Sequence, residues 1–219
     1  MNKHDLRYTL DRLYECRNLE ISNLWQRSVF LSVFLILCFT AYGYLIPELG
    51  SILGDNDIDA ILYLNSIALF LAVIGALFSV VWILMTKSSK GWYEVYETAI
   101  HNFENTYFLK LKLPNAYIMG NMLLKNENKS KNIFSTKAGP YSPSRLNIII
   151  GQISLLIWGL FILIHFFVLI KSADCICNVY VITSFILFMI LIFGIWLVFK
   201  KVKSDFLAIP SIDGVRKNL

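Results

Sequence analysis

The chain has 219 residues, of which 57% are hydrophobic and 15% aromatic, with a mean hydropathy of +0.60 and a formal charge of +5. Such a composition lies outside the range of soluble globular domains and points to a membrane protein. The positive charge does not indicate nucleic-acid binding, because the lysines are scattered and no base-reading motif accompanies them.

Residues 1–27 are polar and carry both signs of charge, which argues against a secretory signal peptide. Leu6, Leu10, Leu13, Ile21 and Leu24 fall on one side of a helix, and Arg17 with Glu20 interrupts that side, read as a solvated gap in preference to a charged contact with a neighbouring helix. Neither proline nor glycine precedes Gly43, so this helix is predicted to run unbroken into the first apolar run, for about 60 Å at about 1.5 Å per residue.

Four apolar runs follow, at 28–46, 60–85, 146–170 and 178–199, with His165 their one titratable nitrogen base. Each is long enough to cross about 30 Å of hydrocarbon. The predicted fold is therefore all-α: a polytopic membrane protein with four transmembrane helices, the first two extended into the cytoplasm. The predicted organisation is an N-terminal amphipathic helix (1–27), two spans with a short outer loop (28–86), a cytoplasmic helix and basic loop (87–145), two further spans (146–199) and a basic tail (200–219). Every Lys and Arg except Lys171 lies before the first run, between the second and third, or after the fourth. Both termini are accordingly predicted to be cytoplasmic, with the basic residues facing an anionic inner leaflet. Glu48, Asp55, Asp57 and Asp59 are placed in the first outer loop.

The stretch Lys87–Tyr107 carries the clearest helical period outside the apolar runs. Trp92, Tyr96, Ile100, Phe103 and Tyr107 recur three or four residues apart, while Glu94, Glu97, His101 and Glu104 are assigned to the remaining, solvated face. This seam calls for a partner helix, and the Leu10, Leu13, Ile21 and Leu24 side is its predicted mate. Arg17 and Arg27 are within reach of pairing with Glu94, Glu97 or Glu104. Trp25 with Arg27, and Lys90 with Trp92, have the aromatic-plus-basic character of anchors at headgroup level. Between 109 and 144 the period fails, with an apolar piece at 116–124 read as lying on the inner leaflet. Ser142-Pro143 then signals a helix start.

Within the runs the small and polar residues are informative. Asn65, Ala68, Ala72, Ala76 and Ser79 form a ridge that lets another helix approach closely. Asn147, Ser154 and His165 share a face of the third run, with Gln152 beside it, and this stripe either lines water or bonds neighbouring helices. Cys175 and Cys177 share the second outer loop, where two free thiols are expected over a strained bridge. No metal or cofactor pattern and no catalytic constellation is present in the sequence, and Glu97 with His101 reads as a solvated helix face.

The blocks CRNLEISNLWQRSVF at 16–30, KGWYEVYETAIHNFE at 90–104 and YSPSRLN at 141–147 resemble, in order and spacing, the RipA-like family of bacterial octameric inner-membrane proteins. The family pattern is met by Arg17, Asn18, Glu20, Ile21, Ser22, Trp25, Gln26 and Arg27, then by Lys90, Trp92, Glu97 and Glu104. Tyr96 replaces a second Trp of that pattern, and Ala99 stands where a His is common. The resemblance implies a ring of like subunits without a cofactor. The expected function is a channel-like homo-oligomer, with a non-conducting scaffold that recruits protein partners through its cytoplasmic helices as the alternative; an enzyme is not expected.

Overall fold

The computed structural model describes residues 2–55, 57–111, 135, 142–172 and 179–201. They form helices α1 (Lys3–Asp55), α2 (Ile58–Leu111), α3 (Pro143–Ser172) and α4 (Val179–Lys201), with no strand among the described residues. α1, α2 and α3 are long and apolar enough to cross a membrane, and α4 holds a shorter apolar stretch, Ile182–Leu197. Cys175, Cys177, the 116–124 piece and the tail beyond 201 lie outside the described residues.

The starts of α1, α2 and α3 follow from their local sequence. Asn2 caps α1, with Leu6 N–H on the Asn2 carbonyl at 3.1 Å and the Asp5 carboxylate reaching back to the Asn2 N–H at 3.3 Å. Asp57 caps α2 by accepting the Ala60 N–H at 3.2 Å. Ser142 precedes α3, and Pro143 fills its first position, where the missing N–H costs nothing.

One boundary differs from the sequence reading. α1 does not stop at Ile46 but continues through Pro47 to Asp55. Glu48 and Asp55 therefore belong to α1, Asp57 is a cap and Asp59 stands in the first turn of α2, so the acidic outer loop expected there is mostly helix. Proline removes one hydrogen bond and crowds the carbonyl four residues back.

The chain divides into two compact units, Met1–Val29 with Leu84–Ile149, and Phe30–Ile83 with Ile150–Leu219. In the first, Leu6, Leu10 and Ile100 are buried, with Leu13, Tyr14, Phe103 and Tyr107 packed against them. In the second, Ala68, Ala72 and Ala76 of α2 are buried at 0–2% exposure. Gly75 makes room for the Trp158 indole of α3, since a Cβ there would stand 2.2 Å from Trp158 Cε2. Phe39 of α1 stacks on the same indole at 4.3 Å. α4 adds Phe185 and Phe188 against Phe166, and its Gly194 faces the Leu77 side chain. Half of the apolar window of α2 is buried, against 17% for α1 and 28% for α3.

Candidate functional site

In the first unit Leu10 and Leu13 of α1 pack with Ile100, Phe103 and Tyr107 of α2. Leu10, Leu24 and Ile100 are buried, while Leu13, Ile21, Trp92, Tyr96, Phe103 and Tyr107 are half-buried. The main correction concerns Glu104, which was assigned to the solvated face and is 1% exposed. It lies four residues after Ile100 and three before Tyr107, which puts it in the seam. Tyr14 O–H donates to Glu104 Oε1 at 2.6 Å, and the Arg17 guanidinium stands 5.0 Å from the Tyr14 ring centre. Burial, then the hydrogen bond to Glu104 and its charge, pushes the Tyr14 hydroxyl up to about 12.

The Arg17 and Glu20 gap is also less solvated than expected, as both residues are half-buried and Glu20 Oε2 is buried without a hydrogen-bond partner among the described residues. Burial, then the nearby Cys16 and Glu20, pushes the Tyr96 hydroxyl up. His101 accepts from Asn105 Nδ2 at 3.0 Å rather than engaging Glu97.

Farther along the same unit the predicted anchors come to lie. Trp25 is 52% exposed. Arg27 is exposed, yet its Nη1 donates at 2.9 Å to Ser89 Oγ, a hydroxyl rather than a carboxylate. Lys90 is paired with Glu94. Asn147 Nδ2 donates to Ser28 Oγ, which itself donates to the Leu24 carbonyl at 2.7 Å. Tyr93 and Ser144 share a hydrogen bond of 2.6 Å. α1, α2 and α3 thus meet through hydroxyl, amide and guanidinium groups.

In the second unit the buried Ser79, Ser154, Asn65 and His165 are neutral and hydrogen-bonded. Ser79 donates to the Gly75 carbonyl at 2.8 Å, which leaves Ser154 to donate to Ser79 at 2.9 Å. His165 is buried between Tyr42, whose hydroxyl lies 2.7 Å from Nε2, and Asn65, whose Oδ1 lies 2.8 Å from Nδ1. Asn65 spends an N–H on the Ile61 carbonyl at 2.8 Å, so its oxygen faces His165 and can only accept. Nδ1 therefore carries the imidazole proton, and Tyr42 O–H donates to Nε2. Gln152 is exposed and does not join the other members of its stripe. Trp158 Nε1 is buried without a partner among the described residues.

Tyr14, Ser28, Ser89, Tyr93, Tyr42 and Ser144 were not singled out from the sequence. For α1 the signal was present: Leu24, Ser28, Leu31, Leu35, Cys38, Tyr42 and Leu49 are all buried, at alternating steps of four and three residues apart from one double step. Carrying the seam's heptad on into the apolar run locates Ser28 and Tyr42. Among the described residues no group of His, Cys, Asp and Glu side chains is placed to hold a metal ion.

A family model described as the Octameric membrane protein family (8xMP) matches residues 9–168. No curated protein and no solved structure gives a significant match. The matched segment contains the seam, the three-helix junction and the Tyr42–His165–Asn65 chain, and it takes in most of the sequence. The chain belongs to the Octameric membrane protein family, and is therefore a self-associating membrane protein.

Proposed function

We propose that the protein is the subunit of a ring-shaped scaffold in the bacterial cytoplasmic membrane, with α1 to α4 all crossing the bilayer and both termini in the cytoplasm. The observation that carries this reading is the use of the α3 polar face. Asn147, Ser154 and His165 each bond to α1 or α2 of their own chain, so none is left to line a water path. The exposed remainder of α3 is apolar apart from a few positions such as Gln152, and includes Ile153, Leu156, Leu160, Leu163 and Phe167. Such a surface suits lipid or a neighbouring subunit.

The charge pattern supports the topology, since every Lys and Arg except Lys171 lies before the first apolar run, between the second and third, or after the fourth. On this reading α2 beyond Lys87 presents a polar outer face, with Glu94, Thr98 and Asn102, to cytoplasmic proteins. No catalytic step is assigned.

Ion and dye flux through liposomes holding the purified protein, with the mass of the assembly determined in the same preparation, tests the proposal. The expected result is an octamer that stays tight across voltage and pH. Ser154→Phe should weaken assembly without creating flux. An octamer that conducts, with flux altered by Ser154→Phe, would replace the scaffold with a channel.

A further inference from the structure

Three hydrogen bonds in the first unit hold α1, α2 and α3 in a common register: Arg27 to Ser89, Asn147 to Ser28, and Tyr93 with Ser144. The apolar run of α1 begins at Ser28, that of α2 ends just before Thr86, and that of α3 begins at Leu146. Ser28 and Asn147 border their runs, so the edges of α1 and α3 are level, and Ser89 and Tyr93 of α2 stand about one and two turns beyond the end of its run.

Cations collect at this edge. Arg27, Lys87, Lys90 and Arg145 flank the runs, and Glu94, the nearest following carboxylate on α2, is taken by Lys90. Among the described residues, Arg27, Lys87 and Arg145 form no ion pair. Arg27 is also oriented. Ser89 is fully buried and accepts from Nη1, which leaves Nε and Nη2 for a second acceptor. A planar fork held in this way suits phosphate oxygens.

From this arrangement we propose that the edge formed by Arg27, Lys87 and Arg145 binds the phosphate of an anionic phospholipid headgroup. The site rests on the reading above that these helices cross a bilayer. Free phosphate offers the same oxygens, but the residues beside the two arginines favour a lipid. Val29 is 62% exposed, Leu146 59% and Ile149 47%, an apolar surface on which acyl chains lie while the guanidinium groups hold the head.

The experiment uses the full chain in nanodiscs of phosphatidylcholine with and without phosphatidylglycerol, and counts lipids retained on the assembly by native mass spectrometry. Retained phosphatidylglycerol is expected, with a preference of roughly fivefold for each cation engaged. Arg27→Gln combined with Arg145→Gln should abolish that preference, Arg27→Lys should keep part of it, and Arg12→Gln should leave it unchanged. Inorganic phosphate should not displace the lipid. Equal retention of the two lipids by the natural chain overturns the proposal, whether or not the double variant folds. So does a folded double variant that keeps the preference, and displacement by inorganic phosphate would assign the site to a soluble anion instead. An octamer that inserts but does not discriminate overturns this site alone, whereas a chain that fails to insert overturns the membrane reading beneath it.

Discussion

The two units hold their buried polar groups differently. The first buries a carboxylate, Glu104, under the Tyr14 hydroxyl, and fixes a guanidinium on Ser89. Among the described residues the second buries only neutral groups, and its Ser79–Ser154 and Tyr42–His165–Asn65 contacts spend their donors on acceptors within the unit. A formal charge is tolerable where water is near and far more costly in hydrocarbon, where an unmet polar group also finds no solvent partner. On the proposed topology the contrast is that between a water-side contact, held by an apolar seam with charged punctuation, and a membrane contact held by close backbone approach and hydrogen-bonded neutral groups.

The largest test of the membrane side is Gly75→Val. Its Cβ would start 2.2 Å from the rigid Trp158 indole, so α2 and α3 must separate. A loss of about 3 kcal/mol is expected in unfolding experiments in mixed micelles. Next comes His165→Leu, which strands the Tyr42 hydroxyl and the Asn65 oxygen and should cost about 2 kcal/mol. Adding Asn65→Leu should return part of that loss in a double-mutant cycle. In the natural chain the imidazole nitrogen spectrum should show the proton on Nδ1.

On the water side, Tyr14→Phe removes one donor from Glu104 and should cost about 1 kcal/mol. The pH dependence has a defined sign. The Tyr14 hydroxyl titrates near 10 when unfolded and at about 12 when folded, so the folded state keeps its proton longer. Stability from this group is complete below pH 10 and is lost as pH rises to about 12. Partial exposure reduces the effect to about 1 kcal/mol, and Tyr14→Phe should remove that slope. The smallest effect is Glu15→Gln. Its ion pair with Arg12 at 2.8 Å is exposed on both sides, and no measurable change is expected.

Helix content and the seam were legible in the sequence because apolar length and a three-to-four spacing survive any arrangement of neighbours. Pro143 after Ser142 marked the start of α3 for a similarly local reason. The Ala68, Ala72 and Ala76 ridge was readable as a close-approach surface, but its occupant, Trp158, was not, since nothing local pairs residue 75 with residue 158. Glu104 was misassigned because its charge was weighed above its position, and Tyr14 stood on the opposite helix, 90 residues away. The end of the apolar run at Ile46 did not mark the end of the helix, because α1 continues in more polar sequence through Pro47 to Asp55. Local chemistry sets the elements, while the polar contacts depend on which helices are brought side by side.

The first unit is discontinuous along the chain, and this imposes an order on its biosynthesis. Its two parts are separated by the whole of Phe30–Ile83. While residues 1–29 emerge from the ribosome, the side bearing Leu6 and Leu10 has no mate, because Ile100 has yet to be translated. The intervening segment must be delivered to the translocation machinery before the seam can close. A nascent chain arrested after the first apolar run would therefore display an unpaired leucine face, of the kind that makes incompletely folded chains prone to aggregate.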